Sequence, residues 1–81
     1  MISCEHYDTI EIVCMYHYPI KIMLKTGTMV EGIAIDTGRN NEREECIKMN
    51  IDSVEHYIVL ETISKLEVTI NNPHFNTISF I

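Results

Sequence analysis

Cysteine and histidine residues near the N-terminus are the first groups in this sequence that could carry out chemistry. Cys4, His6, Cys14 and His17 together form a donor set that tetrahedral zinc accepts. Structural zinc sites usually carry their cysteines as CxxC pairs, and this sequence has no such pair. A Cys14–His17 dyad is the remaining catalytic possibility, although a free cysteine is more often a core residue. Since there is also no phosphate-binding glycine loop and no GxSxG motif, we expect a protein that is not an enzyme and needs no metal or cofactor.

Acidic and aromatic residues of the same segment point to a helix over residues 8–17. Asp8 can cap this helix, and Glu11 lies three positions on, where its side chain can reach back to the cap. Tyr7 precedes the cap at the position of a hydrophobic staple, and Pro19 ends the helix. The spacing i, i+3, i+4, i+7 predicts one core-facing side, formed by Ile10, Val13, Cys14 and His17. The spacing of Tyr7, Asp8 and Glu11 is thus explained without any partner.

Period-two alternation and turn signals dominate the rest of the chain. A first strand over 20–25 is followed by a Thr26-Gly27 turn, and the return strand over 29–36 carries Gly32, which predicts a bend or bulge. A polar loop is expected over 37–45. Further strands are expected over 46–51, 56–61, 63–70 and 77–81. We therefore predict a mainly β fold with one N-terminal α-helix, a small bent barrel or sandwich of five to six antiparallel strands.

The length and net charge of the chain limit the kinds of partner it can bind. The 81 residues form a single domain, 1–81, and they carry 12 acidic against 6 basic side chains, a net charge of −6. Nucleic-acid binding requires a basic surplus, so we expect a basic protein surface as the partner and no direct nucleic-acid contact. The three cysteines, an odd number without a secretion signal or membrane span, favour reduced thiols in the cytoplasm. We expect the free chain to be a monomer.

The stretch 20–36 resembles the first motif of Sm-like proteins. That motif has alternating aliphatic residues, a leucine, a glycine in the hairpin turn and a second glycine at the strand bend. In this sequence the matching residues are Ile20, Ile22, Leu24, Gly27 and Gly32. The resemblance implies a helix laid across a strongly bent five-stranded sheet.

The N-terminal segment makes the resemblance more specific. It is similar to the opening of the Rof family, which has a cysteine, a Tyr-Asp pair, an acidic residue three positions on, and a second cysteine. The matching residues here are Cys4, Tyr7, Asp8, Glu11 and Cys14. The likeness continues over nearly the whole chain, through Gly27, Glu45 and Leu60-Glu61-x-Ile63.

Membership of the Rof family would imply a specific function. Rof proteins have an Sm-like fold and inhibit the transcription terminator Rho, because they bind its N-terminal RNA-binding domain and block RNA loading. The resemblance makes the start of the helix our first candidate for the Rho contact, and the polar loop supplies a secondary one. The candidate residues are Tyr7, Asp8, Glu11 and Met15 on the helix and Arg39, Asn40, Asn41 and Glu42 in the loop.

The alternative is an Sm-type RNA-binding module that works as an oligomeric ring. Two features count against it. The conserved aspartate of Sm proteins would fall at position 38, which is Gly38 here, and the nearest acid, Asp36, comes two residues early. Residues 52–57 read DSVEHY, so the basic turn with which Sm proteins contact RNA is missing.

Overall fold

The chain folds as one helix followed by six β-strands, and the computed structural model describes residues 3–74 and 76–80. In order the elements are α1 (Cys4–Met15), β1 (Pro19–Leu24), β2 (Met29–Arg39), β3 (Glu45–Ile51), β4 (Val54–Val59), a 3-10 turn (Leu60–Thr62), β5 (Ile63–Val68) and β6 (Thr77–Ser79). The predicted class, mainly β with one N-terminal helix and five to six antiparallel strands, is confirmed.

The strands form a single antiparallel sheet in the order β4-β3-β2-β1-β5-β6. The long strand β2 pairs with β1 through its first half and with β3 through its second half. Its register with β3 shifts between Ala34 and Asp36, two to four residues beyond Gly32, where the sequence predicted a bend or bulge. Such irregularities bend a strand and increase its twist. Among the described residues β4 and β6 do not pair, so the sheet is bent but open.

Helix α1 begins one turn earlier than the predicted helix. The Ser3 hydroxyl accepts a hydrogen bond from the backbone N–H of His6 at 3.2 Å, which makes Ser3 the N-cap. Glu5 lies in the first turn, where a carboxylate interacts favourably with the helix dipole. The predicted cap at Asp8 is therefore wrong. An earlier cap that adds a full hydrogen-bonded turn is favoured over a later one.

The C-terminal end of α1 is closed by two backbone hydrogen bonds. His17 N–H donates to the Cys14 carbonyl at 3.1 Å, and Tyr18 N–H donates to the Val13 carbonyl at 3.0 Å. His17 has a φ of +50°, so this is a Schellman motif with a histidine at the left-handed position. The prediction that His17 continues the core-facing side is wrong, because the chain leaves the helix at Met15 and His17 is exposed.

The polar loop is shorter than predicted, since β2 continues to Arg39 and β3 begins at Glu45. Polar side chains do not prevent strand pairing, because the ladder is built from backbone groups. The remaining loop, 40–44, is organised by Asn40. Its Oδ1 accepts hydrogen bonds from the backbone N–H groups of Glu42 and Glu44, at 2.9 and 3.0 Å.

Two later strands also differ from their predicted limits. β4 occupies Val54–Val59 where 56–61 was predicted, because both residues of the Asp52-Ser53 turn have positive φ and the strand starts directly after it. β5 ends at Val68 where residue 70 was predicted. The last predicted strand, 77–81, is found over Thr77–Ser79, and residue 81 lies outside the described part of the chain.

The core lies between α1 and the concave side of the sheet. The predicted helix residues Ile10, Val13 and Cys14 are all buried. They pack with Leu60 of the 3-10 turn and with apolar residues of the strands: Ile20, Ile22, Ala34, Ile47, Met49, Ile63, Leu66 and Val68. In the part of the chain that the structure describes, no helix is long and apolar enough to cross a membrane.

Candidate protein-binding surface

One side of α1 is exposed along its whole length. Cys4, Asp8, Glu11 and Met15 are spaced i, i+4, i+7 and i+11, which places them along a single side of an α-helix. All four are exposed, and Met15 has an exposed fraction of 71%. We call these four residues the α1 stripe. The structure thus brings three of the four predicted helix contacts together on one surface.

The two carboxylates of the α1 stripe neither cap the helix nor bind another side chain in the described part of the chain. Ser3 caps the helix in place of Asp8, so Glu11 has no capping box to complete. Neither Asp8 nor Glu11 forms a side-chain hydrogen bond or an ion pair with another described residue. Both charges therefore face solvent and are available to a cationic group of a partner.

Tyr7, the fourth predicted helix contact, lies beside the α1 stripe and not on it. Its side chain is half-buried and packs against the hydrophobic core. Most of its contribution is therefore to stability, but not as the predicted staple, because the cap is Ser3 and Tyr7 lies within the helix. Its exposed part borders the stripe. Tyr16, 53% exposed, stacks on Tyr18 with ring centroids 5.3 Å apart and extends the apolar end of this surface beyond Met15.

A cavity of about 370 Å³ lies between the C-terminal part of α1 and residues 35–37 of β2, and it adjoins the α1 stripe. Its walls are Glu11, Cys14, Met15 and His17 on one side and Ile35, Asp36 and Thr37 on the other. Asp36 was not among the predicted contacts. Alternation along β2 could not have placed it here, because the register shift after Ala34 changes the side on which later residues lie.

The electrostatic potential in this cavity is negative. Burial, followed by the charges of Asp36 and Glu11, raises the pKa of the Cys14 thiol from 9.0 to about 12. Between these two values the folded chain holds a proton that the unfolded chain releases, so Cys14 makes stability fall as pH rises above 9.0. A nucleophilic cysteine needs the opposite shift, so the arrangement gives the Cys14–His17 pair no activated thiol.

The four residues that could chemically form a zinc set, Cys4, His6, Cys14 and His17, are not brought together. Cys4 and Cys14 are ten positions apart along the helix, a distance of about 15 Å, which is too far for two ligands of one ion. Cys4 is exposed, whereas Cys14 is buried. Within residues 3–74 and 76–80 no three histidine, cysteine or acidic side chains lie close enough together to hold a metal ion.

We expect the cysteines to react with iodoacetamide at very different rates. Cys4 is exposed and should be alkylated rapidly at neutral pH. Cys14 and Cys46 are buried and both have raised thiol pKa values, so they should react only when denaturant unfolds the chain. Mass spectrometry after a labelling pulse measures this, and Cys4→Ser should remove the fast site. Equal rates at Cys4 and Cys14 in the native protein would contradict the structure.

The predicted loop contacts form a second, separate surface. Arg39 Nη1 donates to the Arg43 carbonyl at 2.8 Å, and Arg39 Nη2 lies 3.5 Å from a Glu45 carboxylate oxygen. Asn40 Nδ2 donates to the Glu44 carboxylate at 3.0 Å in addition to the bonds that shape the loop. Arg39 and Asn40 therefore hold the hairpin together. Asn41 and Glu42 are exposed at its tip.

The loop does not share a cavity with the α1 stripe. Arg39 lines a cavity of about 260 Å³ together with the start of β3 and the end of β4. Of the described residues, none lines both this cavity and the one beside α1. The eight predicted contacts thus divide into an acidic helix surface and a hairpin tip.

Comparisons with known proteins give a consistent result. The model of the ROF family, described as modulator of Rho-dependent transcription termination, matches residues 1–80. A solved structure of YaeO bound to magnesium, from Vibrio cholerae O395, superimposes with a TM-score of 0.89. It is 35% identical, and the alignment covers 93% of this chain and 97% of that one. The search of curated proteins gave no match. With the family model spanning nearly the entire sequence, the chain belongs to the ROF family of modulators of Rho-dependent transcription termination.

Proposed function

We propose that the chain inhibits Rho by binding its N-terminal RNA-binding domain through the α1 stripe, which excludes RNA from that domain. The observation that carries this proposal is the pair of exposed carboxylates, Asp8 and Glu11, which have no partner among the described residues. Membership of a family that modulates Rho-dependent termination supports the choice of partner. Rho acts in the cytoplasm, and we place the chain there too.

The residues of the α1 stripe are suited to binding a protein surface that itself binds RNA. Grooves for single-stranded RNA are positively charged and lined with aromatic side chains. The carboxylates of Asp8 and Glu11 can replace RNA phosphates as partners of lysine or arginine, and Asp36 adds negative potential from the neighbouring strand. Met15 offers exposed apolar surface to the aromatic groups. One helix face therefore supplies both kinds of contact.

The tip of the β2–β3 hairpin supplies the secondary contact in this proposal. Asn41 and Glu42 project from the loop, while Arg39 and Asn40 fix its shape. A loop that is already hydrogen-bonded loses little conformational freedom when it binds. In this proposal Asn41 and Glu42 contact Rho, and Arg39 and Asn40 hold them in position.

A competition assay with purified Rho and single-stranded RNA tests the proposal. We expect the chain to displace RNA from Rho, and excess RNA to displace the chain, because both occupy the same site. Binding should weaken as salt increases, since exposed charges are screened over about 8–10 Å at physiological ionic strength. Simultaneous binding of RNA and the chain to Rho would contradict the exclusion mechanism. Tight binding of RNA by the chain alone would favour the RNA-binding ring instead.

A further inference from the structure

We propose that the chain pairs with a second copy of itself through the free edge of β4, forming a symmetric antiparallel dimer. This inference is independent of the proposed Rho contact. It departs from the monomer that the sequence led us to expect, because strand order, which decides which strand is left at the edge, cannot be read from local sequence patterns.

β4 has few of the features that protect a sheet edge from pairing. It is the terminal strand of the sheet, and its register with β3 is unbroken from Val54 to Val59. Val54 is 56% exposed and Tyr57 is 47% exposed. Natural edge strands are usually protected by charged side chains, above all lysine, or by proline, a bulge or short length. β4 has no lysine, proline or bulge and one acidic side chain, Glu55, whereas β6 at the other edge is only three residues long.

The hairpin between β3 and β4 determines which backbone N–H and C=O groups of β4 can bind a second copy of the chain. Its two-residue turn has positive φ at both Asp52 and Ser53, as in a type I′ turn, and the pair Ile51–Val54 closes it. The closing pair of such a turn is hydrogen-bonded, and the pairs then alternate along the ladder. Glu55 and Tyr57 therefore direct their N–H and C=O groups away from β3. A second β4 can accept these bonds when Glu55 of one copy lies opposite Tyr57 of the other.

Side-chain charge favours this register. Lys48 lies opposite Tyr57 in β3, and its Nζ is 5.8 Å from the centroid of the Tyr57 ring. Glu55 and Tyr57 are two residues apart, so they share one side of the sheet. In the dimer, Glu55 of each copy would approach the Tyr57 ring and the Lys48 ammonium of the other copy. The twofold axis generates this contact twice, once at each end of the paired strands.

The overall charge acts against association. Each copy carries a net charge of −6, so two copies repel one another when screening is weak. We expect pairing to be weak at low ionic strength and stronger at moderate salt, where the long-range repulsion is screened but the short-range hydrogen bonds remain. This is the opposite salt dependence from that of the Rho contact.

Sedimentation velocity of the full chain, from micromolar to millimolar concentration at moderate salt, tests the proposal. We expect a concentration-dependent monomer–dimer equilibrium. Glu55→Lys or Lys48→Glu should weaken dimerisation about tenfold or more, because each places like charges together, and the double exchange should restore it. Glu67→Lys is the matched control, since it makes the same charge change on β5, which β1 and β6 flank.

A further variant tests the backbone pairing itself. Glu55→Pro removes an N–H that points away from β3, so it should weaken the dimer while the hairpin is retained. Circular dichroism establishes that each variant is folded. A chain that stays monomeric over the whole concentration range would overturn the proposal. So would a dimer that Glu55→Lys and Glu55→Pro leave unchanged, or a larger ring.

Discussion

Replacing Asp8 or Glu11 with lysine should abolish the binding of Rho and leave the fold intact. Both side chains are exposed, and neither has a hydrogen-bond or ion-pair partner among the described residues, so the substitution removes no such bond there. In the proposed complex each carboxylate would face a basic surface, and a lysine there would replace attraction with repulsion. Losing one partner of a close interfacial charge pair costs about 2–5 kcal/mol, enough to remove binding in a pull-down. Calorimetric titration of purified Rho measures the loss.

Glu5→Lys is the control for this experiment. Glu5 is exposed on the same helix and undergoes the same change of charge, but it lies about 100° around the helix from Cys4, off the α1 stripe. We expect it to retain most of the affinity for Rho and to lose only about 0.3–1 kcal/mol of stability through the helix dipole. An equal loss of binding in all three variants would indicate a general charge effect. Normal binding by Asp8→Lys and Glu11→Lys would reject the α1 stripe as the contact.

Local sequence patterns predicted the fold class well because apolar residues recur in the sequence with the same spacing as the buried positions of a helix or a strand. The core-facing residues Ile10, Val13 and Cys14 follow helical spacing, and the turns at Gly27 and at residues 52–53 coincide with turn residues. The helix start was misplaced because Ser3 and Asp8 are both plausible caps. Choosing between them depends on the energy of a whole extra turn, which spacing alone does not give.

The sequence predicted the candidate site only for residues whose relative positions are fixed by one helix. Asp8, Glu11 and Met15 share one face of α1 whatever the rest of the fold does. Asp36 comes beside Glu11 through tertiary packing and a register shift in β2, neither of which can be read from the sequence. The same holds for Arg39, whose guanidinium is engaged within its own hairpin. Non-local contacts therefore set the limit of the prediction.

Substituting alanine for Gly32 should destabilise the protein strongly. A Cβ at this position would collide with the backbone carbonyl oxygen of Asn50 and lie 2.9 Å from Ile51 Cγ1. The obstacle is backbone of the adjacent strand β3, so a side-chain rotation cannot relieve it. We expect a loss of about 1–3 kcal/mol in the free energy of unfolding, the range for overpacked sites, and more if the β2–β3 pairing breaks. Urea denaturation followed by circular dichroism measures it.

Gly38→Ala provides the comparison that identifies the cause. Gly38 lies in the same strand, but the nearest atoms to its added Cβ belong to the Tyr57 ring at 3.8 Å, an ordinary van der Waals contact. Alanine also restricts the unfolded chain, which favours the folded state by about 0.4–1 kcal/mol where the backbone accepts it. We therefore expect Gly38→Ala to be neutral or slightly stabilising. If both variants lost the same stability, the cause would be a general intolerance of β2 to substitution. A large loss for Gly32→Ala alone would show that the close approach of β2 to β3 requires glycine at that single position.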